Sequence, residues 1–119
     1  MRFEDFEAYC LSLPAAILSV QWGDDHVYKV GGKMFAVAGP IGTGGAGGGY
    51  TFKASDMAFE LLVEQGIARP APYLARARWV QLVARDSLPE DDLKAYLDQA
   101  HALIVAKLTR AVRRELGLG

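Results

Sequence analysis

The sequence predicts an α+β fold of two layers, in which helices pack on a mostly antiparallel sheet in the order α-β-β-β-β-α-β-α. Three observations predict it. Apolar residues alternate at strand spacing in five short segments and recur at helix spacing in three others. The pair Gly31-Gly32 separates two apolar runs, which is typical of a two-residue hairpin turn. Finally, 119 residues with 51% hydrophobic and 23% charged side chains suit one globular domain, which we expect to span residues 1–119.

The chain begins with a predicted helix over residues 3–13. Phe3, Phe6, Cys10 and Leu13 recur at spacings of three, four and three, and Pro14 ends the helix. Because Cys10 is the single cysteine, the chain has no internal disulfide, and we interpret this thiol as a small core residue.

Four predicted strands follow, over residues 17–22, 26–30, 33–38 and 50–53. The second and third flank Gly31-Gly32, since glycine tolerates the positive φ angles of a tight hairpin. Residues 39–49 contain seven glycines and offer few side chains to bury. We therefore expect residues 42–49 to be the most mobile internal segment.

The second half contains two predicted helices around a strand. Ser55 is a candidate N-cap for a helix that Gly66 closes. The segment with Pro70 and Pro72 should be extended or irregular, and residues 79–84 have the pattern of a strand. Ser87 and Glu90 have the spacing of a capping box. The closing helix follows, with apolar residues at helical spacing: Leu93, Leu97, Ala100, Ile104, Leu108 and Val112.

Nothing in the sequence predicts a cofactor, a metal or catalysis. Residues 42–47 match the dinucleotide fingerprint, but that motif requires a helix directly afterwards, and here a strand resumes at Tyr50. The two histidines, His26 and His101, lack acidic or cysteine partners at ligand spacing. We therefore expect no cofactor, no metal site, no catalytic residues and no enzymatic activity.

The sequence shows neither a secretory signal nor a membrane span, and these two features decide the expected localisation. The amino terminus lacks a basic region followed by a long apolar run, so it does not resemble a secretory signal. Apolar runs are far shorter than the roughly 18 residues of a membrane span. We expect a cytoplasmic monomer with no membrane partner.

Charge is distributed unevenly along the chain. The net charge is −1, yet residues 1–65 carry eight acids and four bases, whereas residues 66–119 carry nine bases and six acids. An anionic partner should therefore meet mainly the second half.

Two clusters of basic residues lie in that half. The first mixes arginines with aromatic rings, which suits phosphate contact together with stacking on bases. Its members are Arg69, Tyr73, Arg76, Arg78 and Trp79. The second comprises Lys107, Arg110, Arg113 and Arg114 near the end of the last helix, where the helix dipole alone also favours bases. For both clusters a purely structural interpretation stays open, with Trp79 in the core and the arginines solvated.

Several segments together resemble the MmcQ/YjbR family. They are Tyr9-Cys10-Leu11-Ser12-Leu13-Pro14, the run from Val27 to Ala36 (VYKVGGKMFA), Lys53, Trp79, and Leu88-Pro89 before a long closing helix. The similarity extends from about residue 3 to 113.

The resemblance implies an α+β fold of the kind found in type III secretion chaperones. It also implies a proposed DNA-binding role through a double wing of hairpins. One wing would be the hairpin with Lys29 and Lys33, while Lys53, Tyr73 and Trp79 match signature positions of the family. Two alternatives stay open, namely a protein-interaction or chaperone-like module, and a small-ligand pocket between Trp22, Tyr73 and Trp79.

Overall fold

The computed structural model describes residues 1–21, 24–39, 49–72 and 74–119. The helices are α1 (Phe3–Ser12), α2 (Asp56–Glu64), α3 (Glu90–Val105) and α4 (Arg110–Glu115), and a 3₁₀ turn covers Ala75–Ala77. The strands are β1 (Ile17–Gln21), β2 (Asp25–Val30), β3 (Lys33–Ala38), β4 (Tyr50–Lys53), β5 (Ala68–Pro70) and β6 (Trp79–Leu82).

The strands form one sheet in the order β1-β2-β3-β4-β6-β5, with every neighbouring pair antiparallel. The predicted α+β class and the order of the predicted elements are confirmed. The structure adds two elements, the short edge strand β5 in the proline segment and the separate helix α4. Proline is tolerated at a sheet edge because no ladder hydrogen bond is then lost.

The hairpin between β2 and β3 turns at Gly31 and Gly32, whose φ angles are +60° and +81°, as predicted. Pairing shifts along this hairpin, because Tyr28 faces Ala36 whereas Lys29 faces Met34. The residue left over is Phe35, which forms a β-bulge. Phe35 and Ala36 consequently both belong to the main core, although adjacent residues of a regular strand point to opposite faces.

The main core lies between the helices and one face of the sheet. Phe6 of α1 stacks on Tyr50 of β4 with ring centroids 4.0 Å apart, and both side chains are fully buried. Cys10 is also fully buried, which confirms its interpretation as a core residue, and burial raises the pKa of its thiol. A thiol held in this state is a poor nucleophile.

A smaller apolar cluster covers the opposite face of the sheet. Val27, Val37 and Trp79 pack there with Ala71 from the segment after β5. Paired residues of antiparallel strands share a face, so Lys53, which faces Trp79 across the β4–β6 pair, projects to this side too.

Two predictions about helix ends are confirmed, both at α2. The Ser55 hydroxyl accepts a hydrogen bond from the Ala58 amide at 3.1 Å. Gly66 has a φ of +72°, and its amide donates to the Val63 carbonyl. A glycine in this left-handed conformation is a common way for a helix to end.

The predicted capping box at α3 is wrong. The Ser87 hydroxyl accepts a hydrogen bond from the Ala84 amide at 2.8 Å, so it serves the loop before the helix. Pro89 occupies the N-cap position in an extended conformation, with no side-chain cap, and α3 begins at Glu90. The two candidate capping residues thus belong to different turns.

The predicted single closing helix is also wrong at its end. Thr109 is extended, with a ψ of 158°, and its hydroxyl accepts a hydrogen bond from the Val112 amide as the N-cap of α4. A threonine cap competes with continued helix at this point, so the chain starts a new helix. Lys107 lies in the turn, and Arg110 and Arg114 lie on the separate helix α4.

Some predicted features fall outside the described residues. They are the glycine-rich segment over 42–48, Trp22 and Tyr73. Within the described ranges, every helix is too short or too polar to cross a membrane.

Candidate nucleic-acid interface

Antiparallel pairing brings most of the predicted basic residues to one end of the sheet. At this end β2, β4 and β5 finish, while β1, β3 and β6 begin. We call it the basic end and define it by Lys29, Lys33, Lys53, Arg76 and Arg78. These residues come from separate parts of the chain, and the fold alone places them together.

The β2–β3 hairpin supplies two of the cations. Lys33 opens β3 next to the turn and is exposed. Lys29 is half-buried in β2, where Ile17 and Met34 flank it on the neighbouring strands. In the described part of the chain neither lysine forms an ion pair, so both ammonium groups are available to an external anion.

Lys53, the last residue of β4, is in a different situation. Its side chain is only 8% exposed, and its Nζ donates to the Ala54 carbonyl at 2.8 Å. Burial, and then the positive charge of Lys107, lowers the pKa of Lys53. Asp56 opposes this shift and Arg78 adds to it. Lys53, Lys107 and Arg78 thus repel one another here, and the carboxylate of Asp56 partly offsets that repulsion at Lys53.

Arg78 connects the start of β6 to α2. Its Nε lies 3.2 Å from Oδ1 of Asp56, and its guanidinium carbon lies 5.0 Å from the centroid of the Phe59 ring. Its carbonyl accepts a hydrogen bond from the Ala54 amide, and its φ is +61°, in the left-handed region. Arg78 therefore has a structural role in addition to any contact with a ligand.

The remaining members of the first cluster differ in exposure. Arg76, in the 3₁₀ turn, and Arg69, on the edge strand β5, are both exposed. Tyr73 lies outside the described residues. Trp79 is 4% exposed and packs against Val27 and Val37, so its ring cannot stack on a base in this conformation. The geometry favours the core interpretation of Trp79.

Lys107 joins the basic end, although the sequence placed it in the second cluster. The chain turns after α3, and Leu108 packs against Gly31 of the hairpin, which brings Lys107 close enough to lower the pKa of Lys53. Helical spacing could not predict that Lys107 lies near Lys53, because a continuous helix would have placed Lys107 on the same face as Arg110. Thr109, as a candidate N-cap, was the one local signal in the sequence that the helix breaks before Arg110.

Both histidines have structural partners. Nδ1 of His26 lies 2.6 Å from Oε1 of Glu7, which also accepts a hydrogen bond from the Tyr28 hydroxyl. Nε2 of His101 lies 2.8 Å from the Pro14 carbonyl. Since a carbonyl only accepts, that nitrogen carries a proton. Within the ranges described, no three histidine, cysteine or acidic side chains gather in a way that could hold a metal ion.

Comparison with known proteins gives a family and a fold. The family model named YjbR matches residues 11–103. A crystal structure of the Deinococcus radiodurans protein DR2400, which carries the family-model domain DUF419, is similar with a TM-score of 0.82 and 25% identity. The alignment covers 98% of this chain and 88% of that one. No curated protein matches.

Proposed function

The chain belongs to the YjbR family, and on that premise we propose that it binds nucleic acid, most readily DNA, through the basic end of its sheet. Binding is weak, independent of sequence and driven by contacts to phosphates. We propose no catalytic step, because the histidines have structural partners and the single thiol is buried.

The observation that carries the proposal is the convergence of cations around Lys53. The ends of several strands bring lysines and arginines together although the whole chain has a net charge of −1. Burial is the largest cause of the lowered pKa of Lys53, and the positive charges of Lys107 and Arg78 lower it further. A phosphate at this end would relieve part of that repulsion, so the free energy of binding has a physical source.

The geometry also sets how strong the binding can be. Arg78 is paired with Asp56, and Lys53 is buried, so the cations best placed to meet phosphates are five. They are Lys29, Lys33, Arg76 and Lys107 at the basic end, and Arg69 on the adjoining edge strand β5. Neutralising four or five phosphates gives a salt slope of about −4 in log affinity against log salt. Such an interface loses most of its affinity at moderate salt.

The exposed lysine at the hairpin turn supports a role for this hairpin as a wing. Lys33 lies directly after Gly32, whose φ of +81° belongs to a tight turn at the basic end of the sheet. A short, rigid hairpin loses little conformational entropy when it contacts a nucleic-acid backbone.

Fluorescence anisotropy with random-sequence double- and single-stranded DNA at low salt tests this proposal. We expect dissociation constants in the range of non-specific binding, about 1–100 μM. If neither DNA binds below about 100 μM at low salt, the proposal is wrong.

A further inference from the structure

The two edges of the sheet are built differently. Edge strand β5 has only three residues, and it includes an exposed arginine, Arg69, and a proline, Pro70. Short length, charge and proline are the features by which proteins prevent a sheet edge from pairing with another chain. Edge strand β1 has five residues, Ile-Leu-Ser-Val-Gln, with neither a charge nor a proline.

Strand β1 also exposes large apolar side chains. Ile17 is 56%, Leu18 39% and Val20 55% exposed. Leu18 and Val20 face Tyr28 and His26, so both project to the helical side of the sheet. An uncharged, apolar strand with no neighbour on its outer side, in the part of the chain described, is a template for pairing.

We propose that β1 pairs antiparallel with β1 of a second copy of this chain, about a two-fold axis at Ser19. Pairing in this register places Ser19 opposite its own equivalent, because an isologous contact repeats itself under the two-fold axis. Leu18 then faces Val20 of the second copy, and each such pair occurs twice. All four apolar side chains lie on the helical side, where they cover one another.

Charges next to β1 are compatible with the same register. On β2, Lys29 lies beside Ile17, and Asp25 lies beside Gln21. Since Ile17 faces Gln21 of the second copy, the lysine of one copy and the aspartate of the other stand in the same row and on the same face. Each dimer contains two such rows, with opposite charges at their ends. A like-charge contact in the β1 pair itself is excluded, since β1 carries no charge.

The dimer would contain a continuous sheet with the helices of both copies on one face. This inference replaces the expectation of a monomer that the sequence alone gave. It does not depend on the proposed function, because the basic end lies at the ends of the strands and the pairing uses the outer edge of β1.

Sedimentation velocity over a range of concentrations tests the dimer and its register together. Leu18→Lys and Val20→Glu should each weaken self-association at least tenfold. An equimolar mixture of the two variants should restore it, because Lys at 18 then faces Glu at 20 and Val20 faces Leu18. Met57→Lys is the control: Met57 is 80% exposed on α2, so this variant should dimerise like the wild type.

A second variant tests the axis directly. Ser19→Cys should form a disulfide-linked dimer under mild oxidation, because antiparallel partners lie about 4.5–5.5 Å apart in Cα, within disulfide range. The native Cys10 is fully buried and should not interfere, and Met57→Cys supplies the exposed-thiol control. A wild type that stays monomeric at all concentrations overturns the proposal. The proposal is also wrong if Leu18→Lys and Val20→Glu both dimerise like the wild type. It is likewise wrong if Ser19→Cys forms disulfide-linked dimers no faster than Met57→Cys.

Discussion

A β-carbon placed on Gly31 would lie 2.7 Å from both δ-methyl carbons of Leu108. The turn of the β2–β3 hairpin therefore packs its backbone directly on Leu108, in the turn between α3 and α4. This contact holds Lys33 and Lys107, which are far apart in the sequence, at the same end of the sheet. Glycine is required at position 31 for its positive φ and also for its lack of a side chain.

The two glycines of the turn should consequently respond differently to substitution. Gly31→Ala and Gly32→Ala both place a β-carbon at positive φ, which costs about 1–2 kcal/mol of unfolding free energy. At Gly32 no atom lies within 4 Å of that carbon. At Gly31 it collides with buried Leu108, which should cost about 1–3 kcal/mol more. Replacing both glycines with valine should destabilise the fold further.

Urea unfolding of the two alanine variants measures the difference. The double variant Gly31→Ala/Leu108→Ala should be more stable than the sum of its single changes predicts, since the shortened side chain removes the collision. Equal destabilisation by the two glycine changes would show that the contact with Leu108 has no energetic importance.

Ala15 offers a stabilising change. It is exposed between α1 and β1, and its φ is +59°, in the left-handed region that disfavours a β-carbon. Ala15→Gly should therefore raise the free energy of unfolding by up to about 1 kcal/mol, after the entropy lost by glycine is subtracted. Exposed Ala102 within α3 is the control, where glycine should cost about 1 kcal/mol. Thermal melts in which both variants lose stability equally would argue against strain at Ala15.

Tyr9 should titrate at unusually high pH. Its hydroxyl donates to Oδ1 of Asp98 at 2.5 Å, and this hydrogen bond, with desolvation and the charge of Asp98, raises the pKa of Tyr9 from 10.0 to about 12. Because the folded pKa lies above the unfolded one, the stabilising contribution is complete below pH 10 and is lost as the pH rises to about 12.

The ultraviolet titration of phenolate in the wild type, minus that of Tyr9→Phe, isolates this residue. The difference should have its midpoint near pH 12, and Asp98→Asn should move it down by removing the negative acceptor. A midpoint near pH 10 in the wild type would mean that α1 and α3 are not joined by this hydrogen bond in solution.

Local sequence signals predicted those parts of the fold that depend on neighbouring residues. The glycine pair of the hairpin, the Ser55 cap and the burial of Cys10 all have local causes, and all three are present. The capping box at Ser87 failed because its hydroxyl has a nearer amide partner at Ala84. Periodicity concealed the break at Thr109, since apolar residues continue at helical spacing on both sides of it.

The candidate site depended more on tertiary structure. The sequence identified most of its cations, yet it could not show that Lys53 is buried, or that Arg78 pairs with Asp56. Trp79 has the same pattern whether it serves the core or a ligand, and only the packing of Val27 and Val37 against it favours the core. Lys107 joins the site through the contact between Gly31 and Leu108, which no local pattern encodes.

The salt dependence of DNA binding, compared between two variants of equal net charge, tests the central claim most directly. Lys33→Ala/Arg76→Ala removes two exposed cations from the basic end. Arg2→Ala/Lys94→Ala removes two from the other end, where the Met1 carbonyl accepts a hydrogen bond from Tyr50 and Lys94 lies over the Tyr9 ring. The first variant should bind more weakly, with a salt slope smaller by up to about 2 units, whereas the second should retain the wild-type slope. Equal losses in both variants, with unchanged thermal melts, would contradict a DNA interface at the basic end.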